Sequence, residues 1–440
     1  MTTTDFDPNI DYYAPSLGSR FNIRRHRSLE ELGASQQPLP TTDIQWTPSR
    51  DKFRERASLL LAAGGDARRH PARLPKGWPA RLAHPLAWHG DDLSPGTYTY
   101  TLSVEECGEL HAALGKFKAL GLDLKDIDKA SFPLHGLGRT LDALRGRVLD
   151  GHGFVVIRGH DPSSYSREDN AILYMGVSTY FGEERGRQAQ DGQLMSHIAD
   201  VKLEGIADEM RRPLYTSLSQ PYHTDLLCGI LAMCFLGVAE QGGQVLLSSA
   251  WTVYNEIAAK RPDIIDVLSR PDWVHDTFGR RPAFHKRALL HRWGDKIALV
   301  FSRRTLTGSE ATPRSSSIPG MTAAQAEALD MVHFTADAHR VAITPSPGDM
   351  FFVNNLAVLH SRTAFRNGAK GKRYALRLWL NDAARGWGVP PGLKLAWERV
   401  FGDMPEVDDF VDIDPYAPRG RSDSPDGSPP RPPVRSTSCG

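Results

Sequence analysis

The sequence predicts a mainly β fold with flanking helices, which is an α+β arrangement. In its C-terminal half, residues 373–380 alternate between a polar and an apolar face, as a strand does. The run 226–239 is apolar but too short to span a bilayer, and it is typical of a buried strand or strand pair. Residues 103–181, by contrast, carry apolar residues mainly at helical spacing. We therefore expect helices packed against one outer face of a sheet.

Length, charge and cysteine content narrow the class of protein. The chain has 440 residues, 40% of them hydrophobic, which is ample for one large enzyme with a sizeable core. A formal net charge of +1 argues against nucleic acid or an anionic membrane as a partner. The four cysteines show no Cys-x-x-Cys spacing, and no signal peptide opens the chain. These features predict a soluble cytoplasmic protein.

Composition divides the chain into three parts. Residues 1–75 are rich in Pro, Arg, Ser and Gln, and we expect a loosely packed N-terminal extension with one helix over residues 51–63. Residues 76–404 carry the motifs that indicate function and form the predicted catalytic domain, which begins with a helical entry segment. Residues 405–440 are acidic and then rich in Pro, Ser and Arg, without periodicity, which predicts a disordered tail.

The first half of the predicted domain contains three helices and one strand. Ser103-Val-Glu-Glu106 is a capping box that starts a helix ending near Leu120. Apolar residues at helical spacing from Leu137 predict a second helix, which stops at Gly151. A buried strand and a third helix follow, over residues 154–157 and 166–181.

The segment after the apolar run alternates strands, helices and turns. We expect a strand, two helices, a hairpin and a longer helix, in that order, over residues 244–248, 250–260, 262–270, 288–302 and 322–340. The Ser- and Pro-rich segment 307–320 is predicted to be a mobile loop near the mouth of the site.

Three residues combine into a candidate metal site. His223 and Asp225 are two residues apart on an extended segment, so their side chains point the same way. His360 ends a second strand, which follows a Gly-Asp turn. Two imidazoles and one carboxylate on one face of an octahedron bind Fe(II) and leave positions open for chemistry. A second His-x-acid triplet, His89-Gly-Asp91, lies among prolines with no strand pattern after it, and we interpret it as a turn.

The alternating strand at 373–380 places two arginines on one face. Arg373 and Arg377 share this face, and the other face is apolar. Such a strand has either a solvated outer edge or an anion site, and the strand by itself leaves both readings open. Arginine is the usual partner of a carboxylate because its planar fork matches the two oxygens.

Together these pieces resemble the taurine/2-oxoglutarate dioxygenase family of Fe(II)- and 2-oxoglutarate-dependent oxygenases, in a longer-chained branch with an N-terminal extension. The resemblance covers about residues 151–382 and depends on the order and spacing of the motifs. These are His223-Thr-Asp225, Gly242-Gly243-Gln244, Asn354-Asn355, His360-Ser-Arg362-Thr-Ala-Phe365 and the pair Arg373 and Arg377. The resemblance implies a double-stranded β-helix (jelly-roll) core, with iron at its mouth, and 2-oxoglutarate and O2 as cosubstrates.

The resemblance also implies roles for individual residues. His223, Asp225 and His360 hold Fe(II), and Arg373 binds the distal carboxylate of 2-oxoglutarate. Arg377 contacts an acidic group of the substrate or supports the C1 carboxylate of 2-oxoglutarate.

Other assignments at the site are less direct. Val245 stands where relatives often carry a threonine that donates to 2-oxoglutarate, so this donor is missing or is supplied by Ser248, Ser249 or Tyr222. Tyr222 and His197 are candidates for the substrate side of the pocket, although a histidine such as His197 is equally typical of a surface or loop position.

We expect the protein to oxidise a C–H bond of a small anionic substrate, such as a carboxylic acid, an amino acid or a sulfonate, with release of succinate and CO2. Two other classes stay open. A cupin-type metalloenzyme that does not use 2-oxoglutarate would keep the metal ligands without needing Arg373, and a non-catalytic jelly-roll binding protein would bind neither iron nor O2. Assembly into a homo-oligomer stays open as well. A P-loop or dinucleotide fold has little support, because Gly368-Ala-Lys-Gly-Lys372 lacks the required following Ser or Thr and the helix.

Overall fold

The computed structural model describes residues 42, 44–62, 73–188, 192–201, 211–225, 227–279, 281–390 and 392–413. Its helices are α1 (Arg50–Ala62), α2 (Pro95–Tyr98), α3 (Val104–Leu120), α4 (Leu137–Asp150), α5 (Arg167–Ser178), α6 (Ala250–Lys260), α7 (Pro262–Ser269), α8 (Arg304–Thr307), α9 (Ala323–Ala338) and α10 (Lys394–Phe401). The strands of the first half are β1 (Thr99–Thr101), β2 (Phe154–Arg158), β3 (Glu184–Arg185), β4 (Met195–Ala199), β5 (Gln220–His223), β6 (Ile230–Gly237), β7 (Gln241–Gly242) and β8 (Val245–Ser249). Those of the second half are β9 (Trp273–Asp276), β10 (Phe284–Arg287), β11 (Leu290–Trp293), β12 (Lys296–Leu299), β13 (Val341–Ile343), β14 (Met350–Asn354), β15 (Val358–Arg362), β16 (Phe365–Arg366) and β17 (Tyr374–Asn381).

Seven strands form the larger sheet. Its order is β1-β2-β14-β6-β17-β3, and β4 also pairs with β17. Neighbouring strands are antiparallel except β1 and β2, which run parallel. Residues of the central strand β6 alternate between two apolar cores, with Leu231 and Met233 in one and Ala232 and Cys234 in the other. This sheet is therefore buried on both faces.

The smaller sheet has the order β13-β8-β15-β5 and is antiparallel throughout. One core cluster joins its residues to the inner face of the larger sheet and to α6, α7 and α9. The other cluster lies between the larger sheet and α3, α4 and α5. Two mainly antiparallel sheets with a shared interior form the predicted double-stranded β-helix core, and the helices cover its outer surfaces.

Most of the predicted elements are found within a few residues of their expected bounds. Ser103 caps α3 with the full capping box, since its side chain accepts from the N–H of Glu106 and the Glu106 side chain accepts from the N–H of Ser103. Thr322 caps α9 in the same way with Gln325. The predicted hairpin is the β11–β12 pair.

The prediction of a loosely packed N-terminal extension does not describe its last part. Helix α1 packs against α9, where the Arg56 guanidinium lies 2.5 Å from the carboxylate of Asp330. The buried Arg303 donates to the backbone carbonyls of Gln45 and Trp46. These contacts fix the segment to the domain. Residues 1–41 and 63–72 lie outside the described residues.

The prediction of a disordered tail does not hold for its first nine residues, 405–413. Residues 405–413 pack beside β4: the N–H of Leu194 donates to the carbonyl of Phe410, and Asp409 forms an ion pair with Arg187 at 2.6 Å. This acidic segment is therefore ordered, because Arg187 supplies a positive charge that pairs with Asp409. Residues 414–440, including Cys439, lie outside the described part of the chain.

The described segments contain no helix with the length and apolar character needed to cross a membrane. Cys107, Cys228 and Cys234 are free thiols. The segment 309–320 is irregular, as predicted, and the carboxylate of Asp276 accepts hydrogen bonds from Ser315 within it. Mobility of this loop stays a prediction.

Candidate active site

The two candidate histidine ligands lie opposite each other on neighbouring strands. His223 of β5 pairs directly with His360 of β15, and their ring centroids are 4.1 Å apart. Asp225 follows the end of β5, and one ligand atom from each of the three residues lies within 4.8 Å of the others. Among the described residues, this is the one group of three or more His, Cys, Asp or Glu side chains close enough to share a metal ion.

Short hydrogen bonds fix the backbone of this motif. The backbone N–H of Asp225 donates to the Asn355 side chain at 2.8 Å, and the amide nitrogen of Asn355 donates back to the Asp225 carbonyl at 2.8 Å. The N–H of Thr224 donates to the carbonyl of Phe301 at 2.7 Å. The turn that presents the carboxylate is therefore held from two sides.

The carboxylate of Asp225 has two different oxygens. Its Oδ2 accepts from the indole nitrogen of Trp379 at 2.6 Å and lies 3.0 Å from Nη1 of Arg377. Its Oδ1 lies 3.7 Å from Nε2 of His360 and 3.9 Å from Nε2 of His223. Only Oδ1 therefore faces the space between the imidazoles, which suits a carboxylate that binds a metal through one oxygen.

The protonation states favour metal binding. Burial alone would raise the pKa of Asp225, but the charge of Arg377 and the Trp379 hydrogen bond act against burial, and this pKa is lowered. Burial lowers the pKa of His223 and lowers that of His360 to about 3. An ionised carboxylate and two neutral imidazoles are the forms that bind divalent metals.

The orientation of His223 is also set by a hydrogen bond. Its Nδ1 lies 2.9 Å from the carbonyl of Pro221, so Nδ1 carries the proton and donates, and Nε2 keeps its lone pair toward the ligand cluster. A hydrogen bond from the ring nitrogen that does not bind the metal fixes the tautomer of most metal-binding histidines. The donor set, its protonation and its geometry fit an iron ion.

Arg373 is the second feature of the site. Its side chain is buried between the rings of Phe235 and Phe365, with the guanidinium carbon 5.1 and 5.5 Å from the two ring centroids. Its Nε and Nη1 have no hydrogen-bond partner among the described residues. Burial lowers the pKa of Arg373 to about 10. A buried guanidinium without an anion is costly, and this one fits the carboxylate of a bound ligand.

The glycine pair of the sequence motif makes room for this arginine. Gly243 has a φ of +76°, and a Cβ there would lie 3.3 Å from Cδ of Arg373 and 3.3 Å from Cβ of Phe365. A larger residue would therefore be strained and would crowd the arginine.

Arg377 has a different position from the one the sequence favours. It lies on β17, four residues after Arg373, which directly precedes the strand, but its guanidinium contacts the Asp225 carboxylate instead of standing alone to receive a second anion. Its Nε donates to the side chain of Gln188 at 2.8 Å, and Gln188 donates back to the Arg377 carbonyl at 2.6 Å. Arg377 therefore holds the candidate metal ligand in place.

Arg362 is part of the His360 motif, but the sequence predicts no individual role for it. Its side chain is buried, and its Nη2 donates to the carbonyl of Thr216 at 2.9 Å and also to that of Leu218. The charge of the neighbouring Arg373 helps to lower its pKa, after burial. Arg362 thus fixes the segment before β5 and adds a second cation near Arg373. Its place two residues after His360 on a strand was the available signal, because such residues share a face.

Two of the proposed 2-oxoglutarate donors point away from the site. Ser248 pairs with Leu359, whereas His360 pairs with Leu247, so Ser248 lies on the opposite face of the smaller sheet from His360. Ser249 caps α6 with its side chain. The predictions for both are wrong. Val245 does lie on the face of His360, directly beside Arg362, but it carries no donor.

Tyr222 and His197 are also wrong as substrate contacts. Tyr222 precedes His223 on β5 and therefore points to the other face, where its ring lies 5.4 Å from that of His333 on α9. His197 pairs with Leu376 on the helix-covered face of the larger sheet. Its Nδ1 bonds to the Tyr374 hydroxyl and its Nε2 to the carbonyl of Asp412, at 2.8 and 2.7 Å.

The residue beside His197 lies on the correct face instead. Ser196 pairs with Arg377, so it faces the interior between the sheets. The second His-x-acid triplet, His89-Gly-Asp91, is a turn, as predicted: His89 directly precedes a 3-10 helix at Gly90–Asp92, and its ring bonds to that of His339.

Comparison with known proteins identifies the family. The family model described as "Taurine catabolism dioxygenase TauD, TfdA family" matches residues 117–379. Taurine hydroxylase-like protein SAT17 of Stachybotrys chartarum (strain CBS 109288 / IBT 7711) is 32% identical over 340 residues, which cover 75% of this chain and 88% of that protein. FR-33289 synthase of Streptomyces rubellomurinus (strain ATCC 31215) is 21% identical over 291 residues, 64% of this chain and 85% of that protein.

Among solved structures, an asparagine oxygenase in complex with Fe(II), 2S,3S-3-hydroxyasparagine and succinate is similar, with a TM-score of 0.49 and 17% identity over 66% of this chain and 98% of that one. The family model matches more than half of this chain, and SAT17 matches three quarters of it at over 30% identity. The protein therefore belongs to the TauD, TfdA family of Fe(II)- and 2-oxoglutarate-dependent oxygenases, as its motifs predict.

Proposed function

We propose that His223, Asp225 and His360 hold the Fe(II) of this oxygenase and that Arg373 binds the distal carboxylate of 2-oxoglutarate. The observation that carries the proposal is the buried guanidinium of Arg373, whose Nε and Nη1 find no acceptor in the described part of the chain. It lies four residues before Arg377, which contacts Asp225. A dicarboxylate that reaches from the metal to Arg373 supplies the missing anion.

Bound Fe(II), with 2-oxoglutarate and O2, supplies the oxidation of a C–H bond and the release of succinate and CO2. The chain's own residues prepare for this chemistry. Burial keeps both imidazoles neutral, and Arg377 with Trp379 holds Oδ2 of Asp225 away from the metal position. Phe235 and Phe365 exclude water from the guanidinium of Arg373, which strengthens its attraction for a carboxylate.

The substrate in this proposal is a small acid, namely an amino acid, a carboxylic acid or a sulfonate. Arg377 contacts Asp225, and its side chain keeps 15% exposure. Arg362 adds positive charge nearby. The name of the relative SAT17 as taurine hydroxylase-like agrees with a sulfonate-bearing substrate.

Two further predictions belong with this function. We retain a cytoplasmic location, which the free thiols of Cys107, Cys228 and Cys234 support. Assembly into a homo-oligomer is a prediction for size-exclusion chromatography with light scattering.

An anaerobic titration tests the binding roles. Fe(II) and then 2-oxoglutarate are added to the protein, and the weak visible charge-transfer band of the chelated cosubstrate is recorded. We expect the band in the unaltered protein, its loss in His360→Ala because iron is not held, and its appearance in Arg373→Met only at much higher 2-oxoglutarate. Arg366→Met, which changes an exposed arginine of β16, is the matched control and should behave as the unaltered protein.

Two results would contradict the proposal. Absence of the band in the unaltered, iron-loaded protein would favour a protein that does not use 2-oxoglutarate. An Arg373→Met variant with the same 2-oxoglutarate dependence as Arg366→Met would remove Arg373 from the site. A screen of amino acids, carboxylic acids and sulfonates for substrate-dependent succinate release, with products identified by mass, then defines the substrate.

A further inference from the structure

The side-chain amide of Gln188 makes three hydrogen bonds, two of them to Arg377. Its Oε1 accepts from Nε of Arg377 at 2.8 Å, and its Nε2 donates to the backbone carbonyls of Arg377 at 2.6 Å and of Leu194 at 2.9 Å. A guanidinium can only donate and a carbonyl can only accept, so these partners determine the orientation of the amide. The Gln188 residue is 6% exposed, so water competes little for these bonds.

The two bonds to Arg377 reach different parts of that residue. One binds its side chain and the other its backbone, so the amide sets the position of the guanidinium relative to strand β17. Another nitrogen of the same guanidinium, Nη1, lies 3.0 Å from Oδ2 of Asp225. Direct contacts therefore lead from the Gln188 amide through Arg377 to the carboxylate of the candidate metal ligand.

The backbone that carries Gln188 is itself held in place. The N–H of Gln188 donates to the carbonyl of Gln193 at 2.7 Å. The preceding residue, Arg187, donates to the two carboxylate oxygens of Asp409 at 2.6 and 3.1 Å and to the carbonyl of Gly402 at 2.6 Å. The amide is thus presented to Arg377 from a backbone that the C-terminal segment fixes.

A neutral amide suits this position better than an apolar or an acidic side chain. An apolar side chain would leave Nε of Arg377 and two buried carbonyls without partners, which is costly. A carboxylate would repel the two carbonyls and would compete with Asp225 for the positive charge of Arg377. Glutamine binds the arginine and leaves that charge for Asp225.

We propose that Gln188 is a positioning residue of the iron site: its amide orients Arg377, and Arg377 in turn holds Oδ2 of Asp225 so that Oδ1 alone faces the two imidazoles. The inference rests on the proposed function, because it takes Asp225 as a ligand of the iron. Gln188 acts through Arg377 and is therefore not a catalytic residue.

The iron-free full chain tests the first step, the orientation of Arg377. The Nε–H signal of Arg377 is followed in 15N-arginine-labelled protein, where its absence from Arg377→Met identifies it, and its exchange with solvent is measured. We expect slow exchange in the unaltered protein and about tenfold faster exchange in Gln188→Met, which has a side chain of similar length but no acceptor.

Asn170→Leu is the matched control for the loss of a buried amide. The Asn170 side chain donates to the carbonyls of Pro162 and Ser166, both at 2.9 Å, and it lies on α5, which packs on the outer face of the larger sheet. This variant should leave the exchange of the Arg377 Nε–H as it is in the unaltered protein. Equal exchange rates in Gln188→Met and Asn170→Leu would overturn the proposal.

Anaerobic calorimetric titration with Fe(II) tests the second step, the support of Asp225. We expect Gln188→Met to bind Fe(II) about tenfold more weakly, as for other groups that orient metal ligands, and Asn170→Leu to bind as the unaltered protein does. The charge-transfer band formed with 2-oxoglutarate should move to longer wavelength in Gln188→Met, because Arg377 then withdraws less charge from Asp225. A band at unchanged wavelength would contradict a role at the ligand.

A double-mutant cycle with Arg377→Met shows whether Gln188 acts through the arginine. Adding Gln188→Met to Arg377→Met should cost no further Fe(II) affinity, whereas losses that add would mean a general loosening of the core and overturn the proposal. Melting curves confirm that each variant is folded. Gln188→Glu replaces Gln188→Met if the latter does not fold: its Nε–H exchange should stay slow and its Fe(II) binding should still weaken, and unchanged binding would count against the proposal.

The same titrations separate a failure of this inference from a failure of the proposed function. Equal Fe(II) binding by the unaltered protein and by His360→Ala would contradict the proposed metal site, and the role of Gln188 with it. Loss of Fe(II) binding in His360→Ala together with unchanged binding in Gln188→Met would overturn only the role of Gln188.

Discussion

Arg303 and Arg373 are both buried arginines, yet their surroundings are opposite. Arg303 donates to Asp330 at 2.6 Å and to the carbonyls of Gln45 and Trp46 at 2.7 and 3.2 Å. Arg373 is enclosed by two aromatic rings, and its Nε and Nη1 lack acceptors among the described residues. Burial lowers the pKa of both, but at Arg303 the charge of Asp330 opposes this effect.

The difference shows that a buried arginine can serve either the fold, as Arg303 does, or a ligand, as we propose for Arg373. The partners of Arg303 come from two distant parts of the chain, residues 45–46 and α9, so its hydrogen bonds join the N-terminal segment to α8 and α9 and contribute to folding. Arg373 contributes little to the folded state by itself, because its desolvation is not offset by hydrogen bonds within the described protein. The buried charge of Arg373, which has no acceptor for Nε or Nη1 among the described residues, is therefore expected to bind a ligand.

The largest effect is expected at Arg303, the arginine whose hydrogen bonds are made within the protein. Arg303→Met removes three hydrogen bonds and leaves the buried Asp330 with Arg56 as its remaining cation, so we expect a loss of about 3 kcal/mol in the free energy of unfolding. Chemical denaturation measures this loss.

Arg340→Met is the matched control for this prediction, because Arg340 forms an exposed ion pair with Asp337 near the end of α9. Its loss should change stability by no more than about 0.5 kcal/mol. Equal stability of the two variants would mean that the N-terminal segment is not held through Arg303, and the contrast with Arg373 would fail.

The unsatisfied arginine should give the reverse pattern. Arg373→Met is expected to weaken 2-oxoglutarate binding by about 2 kcal/mol, roughly 30-fold, because the distal carboxylate would lose its buried partner. The ligand-free protein should melt no lower than the unaltered one, since a desolvated charge has been removed. Calorimetric titration and differential scanning calorimetry measure the two quantities. A drop in melting temperature with unchanged binding would assign Arg373 to the core instead.

The same contrast explains which parts of the site the sequence could predict. His223, Asp225 and His360 were identifiable because two of them are close in sequence and the third ends a strand with a recognisable turn. Alternation also placed Arg373 on a polar face. These signals are spacings between neighbouring residues of a strand, and strand geometry places such residues in the same way whatever the rest of the fold.

The wrong predictions concern residues whose orientation depends on the register between paired strands. Ser248 and His197 are each displaced by one residue from positions that face the interior, namely Leu247 and Ser196. A shift of one residue reverses the face, and no local pattern gives the pairing of β8 with β15 or of β4 with β17. Tyr222 is different, since its position next to His223 on a strand already predicted the opposite face.

Contacts across the two sheets were beyond local patterns altogether. The bond between Arg377 and Asp225 joins residues 152 positions apart, and it turns an expected second anion site into support for a metal ligand. The order of residues 44–62 and 405–413 depends likewise on distant ion pairs, those of Asp330 and Arg187. Polar composition predicted loose packing of the first segment and disorder of the second, because composition carries no information about ion-pair partners elsewhere in the chain.

The smallest effect is expected at the support of Asp225. Trp379→Phe keeps the ring in the core but removes the indole N–H that donates to Oδ2 at 2.6 Å, while the contact with Arg377 remains. We expect Fe(II) binding to weaken about tenfold, at the low end of the range for groups that orient metal ligands, because one of two supports is kept. Anaerobic calorimetric titration with Fe(II) measures this change without turnover. Trp387→Phe is the matched control, since it also removes a buried indole hydrogen bond, to the carbonyl of Leu149 at 3.0 Å, away from the ligands. If both variants lose the same affinity, the effect is a general loosening of the core; if only Trp379→Phe does, the indole positions the carboxylate.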